Sequence, residues 1–191
     1  MVSKCDVGSL GRCSNVLVRM GRFRLVGVAA LVGSIACGTS SSRFDGSVYR
    51  DDKLGFKVPA IPAEWRRLDV SDASLAFRDD AHDATILLNG RCGRRDDDTP
   101  LLALTQHLIL GTTERAVESQ QTIPFDGREA LHTVMRAKLD GVVMSYDIYV
   151  LKKDSCVYDF VYVAWPDRFA EGAPAFERFV MGVHTVPAAG G

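Results

Sequence analysis

The chain has 191 residues, of which 47% are hydrophobic, 25% charged and 8% aromatic, with a formal net charge of −1. That composition excludes wholesale disorder, and 17 Gly, 7 Pro and 5 Cys exclude collagen-like and disulfide-dense miniprotein classes. The length fits one domain with a tail, no apolar run reaches the roughly 20 residues of a polytopic membrane protein's spans, and the net charge gives no drive toward nucleic acid.

The N-terminus reads as an address. Lys4, Arg12, Arg19, Arg22 and Arg24 stand against one acid, Asp6, and an uncharged apolar run then fills residues 25–36 up to Cys37. A basic region, a short apolar region and a small residue before the cut make a secretory signal peptide, expected over residues 1–36. A buried helix of the folded domain is the competing reading. Ser34-Ile35-Ala36-Cys37 resembles the bacterial lipobox, with Ser34 where Leu is preferred, and Gly38-Thr-Ser-Ser-Ser42 follows as a small polar tether. The lipobox resemblance implies cleavage before Cys37 and acylation of that residue, while simple cleaved secretion is the alternative. Several acyl chains, at about 0.8 kcal/mol per buried methylene, hold a protein stably on a membrane. Gly38 is not Asp, so the sorting rule of enteric lipoproteins sends such a protein to the outer membrane, facing the periplasm. Met20, followed by Gly-Arg-Phe-Arg and the apolar run, is a second possible start, in which case Cys5 and Cys13 are never made.

The expected organisation is therefore a signal over 1–36, a tether over 37–46, a domain over 47–185 and a tail over 186–191. Five basic residues and one acid fall within residues 1–37, and the rest of the chain holds 18 Lys+Arg against 23 Asp+Glu, a net charge of −5. Cys92 and Cys156 are the two cysteines after Cys37. An even pair in an exported chain favours a disulfide; two separate thiols, or a metal site with a His, are the alternatives.

Shorter strands are expected at 55–59, 74–78 and 84–90. Thr99 then reads as the cap of a helix over 100–110, with Pro100 in its first turn, acids Asp96, Asp97 and Asp98 before it and Gly111 at its stop. Leu101, Leu104, Thr105, Leu108 and Ile109 form its apolar stripe. Asp126-Gly127, Asp140-Gly141 and Asp154-Ser155 recur every 14 residues between runs of Val, Ile, Tyr, Thr and Phe. Asp-Gly tolerates the positive φ of two-residue hairpins, so a four-strand antiparallel meander is expected over 117–125, 128–139, 142–152 and 156–165. A second helix over 174–183 buries Phe176, Phe179, Val180 and Val183. The fold class is α+β, an antiparallel sheet with helices packed on it.

Two-residue turns pair Leu139 with Val142 and Lys153 with Cys156, and the period of two then fixes both faces. Leu131, Met135, Ala137, Leu139, Met144, Tyr146, Ile148, Val150, Val161 and Val163 make an apolar core face. The opposite face carries His132, Arg136, Asp147, Tyr149, Tyr158 and Tyr162. That second face is the one constellation worth weighing. It is a ligand pocket with polar handles, a tyrosine-rich protein-contact surface, or a covered face with Arg136 and Asp147 as a diagonal ion pair. Asp79, Asp80, His82 and Asp83 could hold a divalent cation in a loop, as could Asp96–Asp98, although charged loops are commonly just solvated. There is no GxSxG, HExxH, GxGxxG after a strand, P-loop or EF-hand loop, so neither enzymatic activity nor a cofactor is expected.

Leu54-Gly-Phe-Lys-Val-Pro59, Trp65, the leucine-rich helix, the meander with Gly127-Arg-Glu-Ala130 and the closing Phe176-Glu-Arg-Phe-Val180 resemble bacterial PsbP-like lipoproteins over residues 47–185. The resemblance implies an antiparallel sheet with helices on both faces. It also implies an accessory or assembly role through a protein partner, sometimes with metal, and brings no catalytic residues. Plant relatives of that family attach to photosystem II. The function expected is that of a non-catalytic envelope lipoprotein, with the membrane held through its lipid and an envelope protein as partner. The alternative is a periplasmic binder of a small ligand or divalent cation. Intact-mass analysis of the mature protein should show a chain beginning at Cys37 with a diacylglycerol addition; an unmodified or unprocessed Cys37 would contradict the address.

Overall fold

The structure, a computed structural model, describes residues 43–93 and 98–189. The signal, Met20, Cys37, residues 38–42 of the tether, Asp96, Asp97 and residues 190–191 lie outside the described residues. All three dipeptide turns have both central residues at positive φ: Asp126 (46°) and Gly127 (76°), Asp140 (51°) and Gly141 (83°), Asp154 (53°) and Ser155 (57°). That backbone twist matches the twist of the flanking strands, so each turn folds the chain straight back. The result is β7 (Thr112–Phe125), β8 (Arg128–Leu139), β9 (Val142–Lys153) and β10 (Cys156–Ala164). Leu139 pairs with Val142, and Lys153 with Cys156, as the turn chemistry requires.

The meander joins β4 (Trp65–Leu68), β5 (Leu75–Asp79) and β6 (Ala84–Cys92) in one antiparallel sheet ordered β4-β5-β6-β10-β9-β8-β7. A second sheet is ordered β1-β2-β3-β11, from β1 (Arg43–Phe44), β2 (Val48–Arg50), β3 (Gly55–Lys57) and β11 (His184–Val186). The architecture is α+β. Cys92 and Cys156 sit directly opposite each other on β6 and β10 and are joined as a disulfide.

Several boundaries differ from expectation, each for a local reason. β7 begins at Thr112 rather than 117, because it is an edge strand exposed on both faces and its polar run shows no alternation. Two register shifts, at Thr113/Ala116 and Val117/Ser119, break its ladder further. The first helix, α1 (Leu101–Leu108), is shorter than 100–110, and Thr99 does not cap it. Pro100 occupies the cap position, while the Thr99 carbonyl accepts the Lys152 ammonium at 3.0 Å. Its C-terminal end is held instead by Arg115, whose Nη2 donates to the carbonyls of Ile109 (2.7 Å), Leu110 (3.1 Å) and Thr112 (2.9 Å). Ile109 is the cap residue of α1, and Leu110 and Thr112 belong to the turn and the strand that follow it.

The second helix, α2 (Pro166–Met181), starts eight residues before the expected position. Pro166 holds the first helical position and Asp167 follows in the first turn; Pro174 lies inside the helix rather than at its start. Trp165 leaves the strand to precede that helix, and its indole N–H donates to Asp83 at 2.9 Å. Ordered pairing also begins ahead of residue 47, since Phe44 pairs with Tyr49. It continues past 185, where Val186 pairs with Gly55 and the Ala189 N–H donates to the Asp51 carbonyl at 3.0 Å.

The two sheets are joined through one carboxylate. Asp126, at the β7–β8 turn, accepts from Lys153 Nζ (2.8 Å), from the Thr185 N–H and hydroxyl (both 2.9 Å) and pairs with His184 Nδ1 (2.9 Å). Burial alone would raise its pKa, but the hydrogen bonds from Lys153, Thr185 and His184 outweigh it and hold the carboxyl well below its ordinary range. A depressed folded-state pKa contributes stability above the unfolded value, lost as pH falls through the acid range below about 4. Asp126→Ala should therefore cost about 2 kcal/mol in urea denaturation at pH 7, and the gap between variant and wild type should narrow steadily as pH falls from about 4 toward 2.

Candidate functional site

The two faces of the large sheet are covered differently. α2 packs across β6, β9 and β10, and the second sheet extends that cover, so that Phe176, Phe179, Phe56 and Tyr49 join Ile86, Leu88, Tyr149, Phe160 and Tyr162 in one buried cluster. The other face has only α1, set over β8 and β9 with Leu104 and Ile109 against Met135, Ala137, Tyr146, Ile148 and Val150.

His132, Asp147, Tyr149, Tyr158 and Tyr162 all lie on the α2 side, in the register expected: His132 opposite Tyr149, and Asp147 opposite both Val134 and Tyr162. Yet this face is interior. Tyr149, Tyr158 and Tyr162 are buried. Phe176 packs at 5.9 Å from Tyr149 and 5.4 Å from Tyr162, and Phe56 at 6.4 Å from Tyr158. Gly172 of α2 lies on the Tyr162 hydroxyl so closely that any Cβ there would collide with it. Burial pushes all three phenols up, Tyr158 to about 12. A tyrosine surface for partner contact does not exist on this side.

The polar handles separate as well. His132 Nε2 lies 2.7 Å from Asp147 Oδ1, and its ring stacks on Tyr149 at 4.1 Å. Arg136 instead pairs with Glu118 at 2.7 Å near the surface, so the diagonal Arg136–Asp147 pair is not formed. Burying a guanidinium beside Asp147 would forfeit more hydration than turning the shorter imidazole inward. Burial raises the Asp147 pKa, His132 opposes that, and Glu177 on α2 adds to it.

The loop acids are likewise engaged. Asp79 is fully buried and bonds His82 Nδ1 at 2.7 Å and the backbone N–H groups of Ala81 and His82. Asp80 pairs with Arg66 and Arg78, and Asp83 with Arg78 and Trp165. Among the described residues no three His, Cys, Asp or Glu side chains converge to hold a metal ion. No helix of the described residues is long and apolar enough to cross a membrane.

A cavity opens on the face that α1 leaves uncovered, with a volume of ≈ 300 Å³. Its floor is Leu87, Ile148, Val161 and Val163, with Leu108 and Ile109 as one wall and the Asp72–Ala73 turn as the other. Asp159 and Asn89 line it too, opposite one another on β10 and β6. Asp159 is 3% exposed, accepts from Arg91 Nη1 at 2.8 Å through Oδ1, and is raised to about 6 by burial that Arg91 only partly offsets. The Tyr146 hydroxyl, buried beside the cavity, has no hydrogen-bond partner among the described residues. The reading of faces passed over Asp159, although a carboxylate at the centre of the Val157, Val161, Val163 row was its signal.

Neither a family model nor a curated protein matches this chain. Solved structures do. The solution structure of cyanobacterial PsbP from Synechocystis sp. PCC 6803 superposes with a TM-score of 0.54 at 18% identity, covering 81% of this chain and 99% of that one. The chain has the PsbP-like fold. LpqN of Mycobacterium tuberculosis, described as involved in cell envelope biogenesis, matches with a TM-score of 0.50 at 14% identity, covering 78% of this chain and 91% of that one. At these identities the likeness speaks for the PsbP-like architecture, not for shared site residues.

In this PsbP-like sheet the buried carboxylate of Asp147 depends on one histidine. His132→Ala should lower stability by about 3 kcal/mol in urea denaturation by leaving Asp147 unpaired, whereas Arg136→Ala should stay within about 0.5 kcal/mol. The reverse ranking would restore the Arg136–Asp147 pair.

Proposed function

We propose that this PsbP-like protein is a non-catalytic accessory protein of the cell envelope, anchored by a lipid on Cys37 and acting by binding an envelope protein. The observation that carries the proposal is the basic leader and apolar run ending at Cys37, upstream of a domain closed by the Cys92–Cys156 disulfide. A disulfide of that kind suits an oxidising compartment outside the cytoplasm. The use of ionisable groups supports a non-catalytic reading: of the three His–Asp pairs among the described residues, His132–Asp147 and His82–Asp79 pack into the fold with their carboxylates buried, and the third, His184–Asp126, ties β11 to the β7–β8 turn. A general acid or base needs reach to a substrate proton. An outer-membrane, periplasm-facing location follows from Gly38 under the sorting rule. LpqN's description as involved in cell envelope biogenesis is compatible with this reading at the level of fold.

Partner contact then falls to surfaces that remain exposed, above all the outer strand β7, where Val117 is 57% exposed. Its two register shifts suit a strand that avoids indiscriminate edge pairing. Photo-crosslinking residues placed at Val117 and at Gln121 should capture one and the same envelope protein in the native membrane. A folded, anchored chain that captures nothing from either position would contradict the accessory role.

A further inference from the structure

The cavity on the α1 side has the features of a built site. Half-buried Leu87, Val161 and Val163 give it an apolar floor on the two central strands, where α1 does not reach. Within that floor, Asp159 is almost wholly buried, and Arg91 bonds one of its oxygens. A carboxylate so nearly buried, with Arg91 only partly offsetting the cost, gains from any further donor that the cavity admits. Asp72 at the rim adds a second carboxylate to a lining that includes no Lys, Arg or His among the described residues. The charge on the cavity wall is negative. The volume of ≈ 300 Å³ sits at the small end of ligand pockets, enough for a ring or a short branched chain rather than a full lipid.

We propose that this cavity binds a small amphipathic cation, an apolar body bearing one protonated amine, with the amine donating to Asp159 and the body lying on Leu87, Val161 and Val163. Asp159 then bridges two cations, Arg91 and the ligand amine, in a site dry enough for each charge-assisted bond to count. Asn89, whose Oδ1 already accepts the Gly90 N–H at 3.0 Å, offers its amide beside the same carboxylate. Binding here involves neither the lipid on Cys37 nor a protein partner, so the site stands apart from the accessory role. It also lies on the opposite face from His132, Arg136 and Asp147, the handles a ligand was first expected to use.

The test uses three near-isosteric probes on the full chain: 2-phenylethylamine, 2-phenylethanol and phenylacetate, followed through the methyl resonances of Leu87, Val161 and Val163. The amine should shift these methyls saturably and bind at least tenfold more tightly than phenylacetate. Asp159→Asn should erase that preference while leaving 2-phenylethanol binding in place. Val161→Phe fills the cavity from a half-buried position and should abolish saturable shifts from all three probes in a chain that is still folded. The proposal is overturned by the absence of saturable shifts from the amine, by equal affinity for amine and carboxylate, or by an amine preference that survives either substitution.

Discussion

Unequal cover on the two sides of one sheet governs this molecule. Seven strands at about 4.8 Å spacing make a sheet roughly 30 Å wide, and one helix of about 10 Å diameter hides only two or three strands. On one side α2 and the four-stranded sheet share the work, and the aromatic residues of β9 and β10 become core. On the other side stands α1, eight residues and about 12 Å long, and it packs chiefly on β8 and β9. Burial of the tyrosines, closure of the His132–Asp147 pair and the open groove over Leu87 and Val161 all follow from that difference. Asp126 adds a polar tie to that arrangement, since it bonds β11 to the β7–β8 turn while Phe56 packs on Tyr158.

Much of this was legible from turn chemistry. Asp126-Gly127, Asp140-Gly141 and Asp154-Ser155 specify two-residue hairpins, and a period of two carries that information along every residue of the meander. Hence the pairing of Asp147 with Tyr162, and of His132 with Tyr149, could be stated from local sequence alone. What covers each face is not local. The helix over the tyrosines starts at Pro166, but its inner Pro174 imitates a helix start, so its length and reach were underestimated. Strands of two to four residues, such as Arg43–Phe44 and Trp65–Leu68, are too short to show a period at all. With the second sheet unseen, the mixed aromatic and ionisable face stayed open to three readings, a pocket, a contact surface or a covered face, and it is buried in the core cluster.

The same reasoning explains why the site candidates exchanged places. Polar residues on a strand attract notice when they cluster, as His132, Arg136 and Asp147 do, yet a cluster is also how a covered face satisfies its buried groups. Asp159 stands by itself among valines, and the reading of faces passed over it. It is the more informative residue, because its carboxylate is buried, is paired with Arg91 and lines an unfilled volume. The sheet thus has two unlike sides: a sealed one that holds the domain together, and one with an unfilled volume.

That separation is testable within a single strand. Ile86 and Leu88 point to the sealed side of β6, whereas Leu87 between them points to the open one. A soluble nitroxide added to the methyl-labelled chain should strongly broaden the Leu87 methyl signals and leave those of Ile86 and Leu88 sharp. Equal protection of all three residues, or broadening of Ile86 and Leu88 in place of Leu87, would contradict the account.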